Sequence, residues 1–576
     1  MGSGPLEKQL QMKVAFHGAV LLVVCLSLAA GVGGGPDETQ NQPARQTQAI
    51  LEDRVGPEAA AGPIFCQRDR ICGSDVLPLF YRGRGLRPAW ITDDLNLSDA
   101  ASLLLALRRV EEDGLDPESY HLAALQALMS EVTRETEKGG SAISADILAD
   151  LEMLLTDSFL LCGSHLVHGQ VNPETIQSEW FIKGRYEDLV AALEKGLKTK
   201  DVGAALDSLK PTHSVYRNLK AALKRVRAEV YSGGRPGIVP GSKLKVGDKG
   251  MRVVALRDWL KASGELSQSR DTGADLFDAA LEQAVKKFQR RHGLEADGVV
   301  GSETTAALDV SPEYRLRQVR ANLERWRWIT SDLGDRYILV NIADFSVHII
   351  EVESEIMSMP AVVGRPYRRT PDFSGRMTHL EVNPYWNIPP RLAREDILPK
   401  VKGIPGYLEA QNIRVFRDWS AGAPEIDRNT VDWSRVEPES LAYKFQQLPG
   451  PLNSLGQIKF VFPNKFDVYL HDTPAKELFK KPVRDFSSGC IRVERPIELA
   501  AYLLKDDPEW NETKLREAIQ TGTTRIIPLK HPINVHVLYW TAWMDGEGHI
   551  HFRQDIYGRD AKLYAALRQK PNEPGT

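Results

Sequence analysis

Apolar positions recur with a helical period over much of 98–329 and with a period of two from residue 336, so a helical front precedes a β-rich back. Within 98–230, Ala101, Leu104, Leu105 and Arg108 begin one amphipathic run and Ile147 to Leu161 make another, with Gly139-Gly140 between them. Two or three more helices are expected across 185–230. A Gly- and Pro-rich linker at 231–242 leads into a compact segment, where Val253, Leu256 and Leu260, then Leu281, Val285 and Phe288, take helical spacing. Pro312 to Ile329 reads as one arginine-rich helix with Trp326 and Trp328 near its end. Its arginines are expected on a solvated face packed against the neighbouring domain, in preference to a site for an acidic partner.

Strand periodicity begins at Tyr337–Ile342 and Ser346–Val352, with Asp344 in the turn between them, and continues at 356–363 and 376–383. The stretch 391–450 breaks this pattern and reads as a helical and loop insertion covering part of the β-domain. The pattern resumes at Gln457–Phe462 and Phe466–His471, a hairpin with Asn464 in its turn. A helix is expected at 496–505, with Pro496 in its first turn. Val535, Val537, Tyr539, Trp540 and Trp543 mark strands closing against the helical part.

The composition suits several globular domains: 576 residues, 42% hydrophobic and 26% charged. A net charge of −4 provides no global basic field, so nucleic acid is not an expected partner. Lys8 and Lys13 precede a mostly apolar run from Val14 to Val32, an export pattern long enough to span a bilayer. An uncleaved membrane anchor is favoured over cleavage near Ala29 or Ala30, with the short tail inside and the bulk of the chain exported. Residues 36–62 read as a flexible tether. Five cysteines are too few for a disulfide scaffold, but Cys66 and Cys72 lie close enough in sequence for an exported chain to be expected to bridge them. His165 with His168 has no third ligand nearby, and His549 with His551, in the Gly-rich hairpin at 545–548, is not read as a metal site. No metal or cofactor is expected.

The chemistry concentrates in His471-Asp472-Thr473-Pro474 and Phe486-Ser487-Ser488-Gly489-Cys490-Ile491-Arg492-Val493, with His471 and Cys490 nineteen residues apart. Strand alternation puts Tyr469 and His471 on one face. Two serines and a glycine before Cys490 allow a tight turn that aims backbone N–H groups at a developing oxyanion. A histidine within reach of the thiol would take its proton, and a third group, a backbone carbonyl among the choices, would fix the imidazole tautomer.

Two resemblances give these residues a context. Leu244-Lys245-Val246-Gly247-Asp248-Lys249-Gly250, Phe277-Asp278, Ala284-Val285-Lys286-Lys287-Phe288-Gln289, Gly293-Leu294 and Asp297-Gly298-Val299-Val300-Gly301 resemble the small helical peptidoglycan-binding domain of cell-wall enzymes. His-Asp-Thr-Pro followed by Phe-Ser-Ser-Gly-Cys-Ile-Arg-Val resembles the L,D-transpeptidase catalytic domain, with most likeness to the large membrane-anchored Gram-negative type. Val363-Gly364-Arg365-Pro366-Tyr367-Arg368 and Asn383-Pro384-Tyr385-Trp386-Asn387-Ile388-Pro389-Pro390 also look like that subgroup. Many family members carry His where this chain has Ser488, so a second-histidine role is not expected here.

The resemblance implies a multidomain α+β chain. Its parts are a signal or anchor at 1–35, the tether at 36–62, a helical scaffold at 63–240, a three-helix peptidoglycan-binding domain at 243–309 and a connecting helix at 310–335. A mainly β catalytic domain follows at 336–530, with the cap inserted at 391–450, and a C-terminal extension at 531–576. It further implies that Cys490 attacks a tetrapeptide stem, that His471 is general base and then acid, and that the Asp472 backbone carbonyl orients it. The Gly489 and Cys490 amides would hold the oxyanion. Arg492 would organise the loop or meet a substrate carboxylate, and Tyr469, Ser487, Ser488, Tyr385 and Trp386 would line the substrate site. Third-to-third crosslinks in the cell wall, acylation by carbapenems and cell-wall synthesis proteins as candidate partners belong to the same expectation. An L,D-carboxypeptidase or peptidoglycan hydrolase using the same pair is the alternative, and a non-catalytic wall-binding scaffold a third reading.

Overall fold

The computed structural model describes residues 42–569 apart from 60–61, 63, 67–68, 74, 139–142, 178–179, 234–240 and 268–273. The expected signal or anchor at 1–35 lies outside the described residues; among those described, no helix is long and apolar enough to cross a membrane. The expected tether is in fact helical over Pro43–Val55, with Thr47, Leu51 and Val55 buried. Those three positions, four apart, make a narrow stripe that outweighs the polar composition. Arg54 fastens the helix to the Ala145–His168 helix through Asp150 at 2.5 Å and Asp146 at 2.9 Å.

The Ala145–His168 helix is buried around nearly its whole circumference and forms the axis of the scaffold. The hairpin of β1 (Phe65–Cys66) and β2 (Asp69–Arg70) is pinned to it by His121, whose ring nitrogens reach Asp69 at 3.0 Å and Asp157 at 2.9 Å. The expected Cys66–Cys72 disulfide is absent: both residues are thiols. Cys66 is buried in the helical core, Cys72 Sγ sits 3.9 Å from the Arg70 carbonyl, and burial pushes both thiols up to about 12. Between its helices the scaffold contributes β3 (Trp180–Phe181) to the large sheet of the β-rich domain.

In the next domain the helices Met251–Ala262, Ala279–Arg291 and Ser302–Leu308 enclose Leu256, Phe277, Val285 and Phe288. The polar signature positions are structural. Asp278 caps its helix by accepting from Leu281 N at 2.8 Å, and Gln289 Nε2 donates to Asp297, Val299 and Thr304 at 2.8–3.1 Å. The arginine-rich Pro312–Arg327 helix departs from expectation. Arg325 and Arg327 are buried, the first against Asp560 at 2.6 Å and the second against Glu324 at 2.7 Å.

The nine-stranded sheet uses β4 (Arg336–Asn341), β5 (Ser346–Glu351), β6 (Ser354–Val362) and β7 (Asp372–Val382). The cap follows with β8 (Trp386–Asn387), β9 (Ile413–Phe416), β10 (Glu425–Ile426) and β11 (Lys444–Gln447). The sheet then resumes with β12 (Ile458–Val461), β13 (Leu470–His471), β14 (Ile491–Val493) and β15 (Arg525–Leu538). Strand order is β12-β13-β14-β6-β5-β4-β15-β7-β3, and β12 also pairs with β7, so eight strands close on themselves and β3 is the addition. The expected boundary at 530/531 falls inside β15, where a register shift between Pro528 and Ile533 surrounds Pro532 and imitates a break. Beyond it, β16 (Ala542–Met544) and β17 (Ile550–Phe552) form a hairpin whose apolar side joins the core around Trp326 and Trp540. The insertion is more than helix and loop and begins before 391: its three strands extend β8 in the order β10-β9-β11-β8 over a core of Ile388, Ile397, Ile413, Val415 and Phe445.

Candidate active site

Parallel pairing of β13 with β14 sets Leu470 opposite Ile491 and His471 opposite Arg492. Ile491 N donates to Tyr469 O at 3.1 Å, so Cys490 enters the sheet beside Tyr469. The expected tight hairpin before His471 is a wider loop at 462–469, held by Asn464, which accepts from Phe466 N and Val468 N and donates to the Phe462 and Val468 carbonyls. In that loop Asp467 has φ +53° and its carbonyl lies 3.7 Å from Cys490 Sγ.

The segment before Cys490 is held from several sides. Ser487 N donates to Val363 O at 2.9 Å and Arg365 N to Ser487 O at 3.0 Å. Thr370 Oγ1 donates to Gly489 O at 2.8 Å, while Tyr557 OH donates to Gly364 O at 2.5 Å. Ser487 Oγ donates to Cys490 O at 2.5 Å and accepts from Gly489 N at 3.1 Å. Gly489 takes φ +122°, which a side chain would strain. The expected role of its amide as an oxyanion donor therefore needs correction: Ser487 already occupies it. Among the described residues, the Ser488 and Cys490 amides have no such acceptor.

His471 is buried and its Nδ1 lies 2.5 Å from the Asp472 carbonyl. A carbonyl only accepts, so Nδ1 carries the proton and Nε2 is left as the basic nitrogen. Burial, with help from the Arg492 charge, pushes the imidazole down to about 3. Cys490 is half-buried, and burial pushes its thiol up against smaller opposing effects from Tyr469, Lys459 and Arg492. The resting pair is thus neutral thiol and neutral imidazole. Among the described residues no hydrogen bond yet joins them; substrate-free sites commonly leave such contacts loose. The Asp472 carboxylate is occupied structurally, by Lys476 at 2.6 Å and Gln457 N at 2.8 Å.

Both residues line a cavity of about 830 Å³ between barrel and cap, together with Tyr469, Ser487, Ser488, Gly489, Arg492, Tyr385 and Trp386. Asp472 is not among the lining residues. Six cationic side chains line the cavity against three carboxylates, so it favours an anionic ligand. Arg492 Nε is buried without an acceptor, and neither Arg492 nor Arg365 has a carboxylate partner among the described residues. Arg368, a position with no assigned role in the motif, spends its charge on the cap: it holds Asp396 and Glu395 and also donates to Ser488 Oγ at 2.9 Å. Arg368, Thr370, Tyr557 and Asp467 went unidentified because their partners lie tens to hundreds of residues away. The Arg365–Arg368 motif was the one available signal.

Comparison with known proteins agrees with this arrangement. Residues 335–527 match the L,D-transpeptidase catalytic domain, 249–308 match a family described as "Putative peptidoglycan binding domain", and 75–223 match a scaffold domain. A "Putative L,D-transpeptidase" of Haemophilus influenzae is 34% identical over 229 residues, 40% of this chain and 45% of that protein. The N-acetylmuramoyl-L-alanine amidase CwlM of Mycobacterium tuberculosis is 40% identical over 83 residues, 13% of this chain and 20% of that protein. The chain thus spans less than half the length of these curated relatives. A crystal structure of the L,D-transpeptidase from Xylanimonas cellulosilytica is 15% identical over 52% of this chain and 99% of that one, at a TM-score of 0.17, too slight a likeness to argue from. The matched regions give a chain that carries an L,D-transpeptidase catalytic domain behind a peptidoglycan-binding domain and a helical scaffold.

Proposed function

We propose that the protein is an L,D-transpeptidase that forms third-to-third peptidoglycan crosslinks through a Cys490 thioester. The observation that carries this is the placement of Cys490 and a His471 of fixed tautomer in one cationic cavity. His471 Nε2 takes the thiol proton as sulfur attacks the carbonyl joining the third and fourth stem residues. The Cys490 amide stabilises the oxyanion. His471 returns the proton to the departing amine of the fourth residue, leaving a thioester. The side-chain amine of another stem's third residue, meso-diaminopimelate, then attacks, gives a proton to His471 and releases the thiol. One amide is broken and one made, so no separate energy source is required. Arg492, with its buried unpartnered Nε, suits a stem carboxylate.

The cavity opens past exposed Tyr385 and Trp419, so water also reaches the thioester and L,D-carboxypeptidase activity is the second reading. The substrate requires export, and the apolar run Val14–Val32 supports anchorage in the inner membrane with the remainder periplasmic. Mass spectrometry of tetrapeptide-bearing wall fragments incubated with the purified protein separates the readings. Dimers joined third-to-third support crosslinking; tripeptide monomers alone would replace it with the carboxypeptidase.

A further inference from the structure

The two neighbours that share one edge of β7 are unequal. β12 pairs along His379–Val382 and then leaves as the 462–469 loop. The vacated start of that edge is taken by β3 of the scaffold, with Trp180 opposite Asp372 and Phe181 opposite Phe373. This parallel addition covers an edge that would otherwise expose backbone groups beside the active site. It also sets Phe181 against the loop: its ring lies 4.9 Å from the Phe466 ring, and Lys465 Nζ sits 2.9 Å from the Phe181 centroid. Phe466 packs on Phe373 from the other side at 5.4 Å and itself lines the catalytic cavity. The next residue, Asp467, is the one whose carbonyl faces Cys490 Sγ at 3.7 Å.

We propose that Phe181 of the scaffold is a positioning residue for the nucleophile, bracing the Lys465–Asp467 segment so that the Asp467 carbonyl holds the Cys490 S–H in place. Three observations converge on it. The scaffold strand occupies a gap that the catalytic domain leaves in its own sheet. An aromatic side chain that is 41% exposed is clamped by a cation and a ring from the loop rather than left to solvent. Asp467 holds a left-handed backbone conformation, which costs free energy for a non-glycine residue and persists where its surroundings enforce it. A carbonyl accepting from the thiol stabilises the protonated form, so the brace keeps the resting thiol neutral and aimed until substrate arrives. The scaffold thereby contributes to catalysis without touching substrate.

This inference rests on Cys490 being the nucleophile, so the test carries a readout independent of the reaction. In the full-length protein, Cys490 alkylation by iodoacetamide is followed by peptide mass spectrometry from pH 6 to 10, beside crosslinking kinetics. For Phe181→Ala the expected results are an alkylation midpoint moved to lower pH and a kcat about tenfold lower, with KM within about twofold. Phe181→Tyr, which keeps the ring, restores both. An alkylation profile and kcat equal to wild type in Phe181→Ala, or failure of Tyr to restore them, overturns the brace. Should Phe181→Ala fail to fold, the exposed Lys465→Gln decides: the same direction of change supports the proposal, and an unchanged profile overturns it. A wild-type protein that alkylates normally yet makes no crosslinks would defeat the proposed reaction while leaving the brace to be judged on the alkylation profile.

Discussion

Arg368 grips both carboxylate oxygens of Asp396, at 2.5 and 2.8 Å, while donating to Ser488 Oγ at 2.9 Å, so one guanidinium ties the cap to the segment bearing Cys490. The carboxylates come from Ala393–Ile397, a π-turn, an irregularity that recurs at functional sites. Lysine keeps the charge but not the planar fork. Arg368→Lys is therefore expected to lower crosslinking kcat/KM by about tenfold, about 1.4 kcal/mol, while iodoacetamide still reaches Cys490. Steady-state kinetics beside alkylation mapping checks this.

The neutral resting pair has a pH signature. Burial holds the Cys490 thiol above the ordinary cysteine range, so alkylation should keep accelerating through that range rather than level off near neutrality. His471 titrates at about 3, against about 6.5 unfolded, so it remains an available base throughout mild acid. Its depressed value adds stability that is fully present above 6.5 and lost as pH falls toward 3. Imidazole resonances that titrate near neutrality in NMR spectra of His471 would contradict the assignment.

Gly456 sets the position of Asp472. It has φ +62°, and a Cβ there would lie 2.4 Å from the Asp472 carboxylate carbon. Gly456→Ala must push that side chain away, taking with it the carbonyl that fixes the His471 tautomer. Crosslinking kcat is expected to fall by at least about tenfold, whereas Asp472→Asn, which keeps the backbone carbonyl, retains most of it. Comparing the two variants separates carbonyl from carboxylate.

The buried Arg325–Asp560 pair joins the connecting helix to the C-terminal Arg559–Leu567 helix, and Asp560 also accepts from Thr541 Oγ1 at 2.8 Å. Asp560→Ala leaves a buried guanidinium without its counter-charge and is expected to cost about 3–5 kcal/mol. A guanidinium chloride unfolding series checks this.

The candidate pair was legible in part: a strand, a small-residue turn and a spacing are local features, and the resemblance supplied the rest. The structure sets His471 Nδ1 on the Asp472 carbonyl and brings His471 and Cys490 into one cavity. Relationships over long separations were not legible. Charge composition alone cannot show that Arg325 finds Asp560, so the Pro312–Arg327 helix read as solvated. The Pro43–Val55 helix read as tether because three buried positions are a faint signal among glutamines. Pro532 masked the continuity of β15, and short cap strands such as β8 and β10, two residues each, offer no periodicity to detect. The Gly489 amide was assigned to the oxyanion by turn chemistry and resemblance, and neither shows the Ser487 hydroxyl that accepts from it.

The central claim is that Cys490 forms the thioester, and intact-mass spectrometry during turnover tests it most directly. Incubation with a tetrapeptide stem, or with a carbapenem as a slowly released mimic, is expected to add one acyl group that maps to Cys490. The adduct should disappear in Cys490→Ala and form far more slowly in His471→Ala. An adduct that persists in Cys490→Ala, or crosslinking that continues in that variant, would contradict the account.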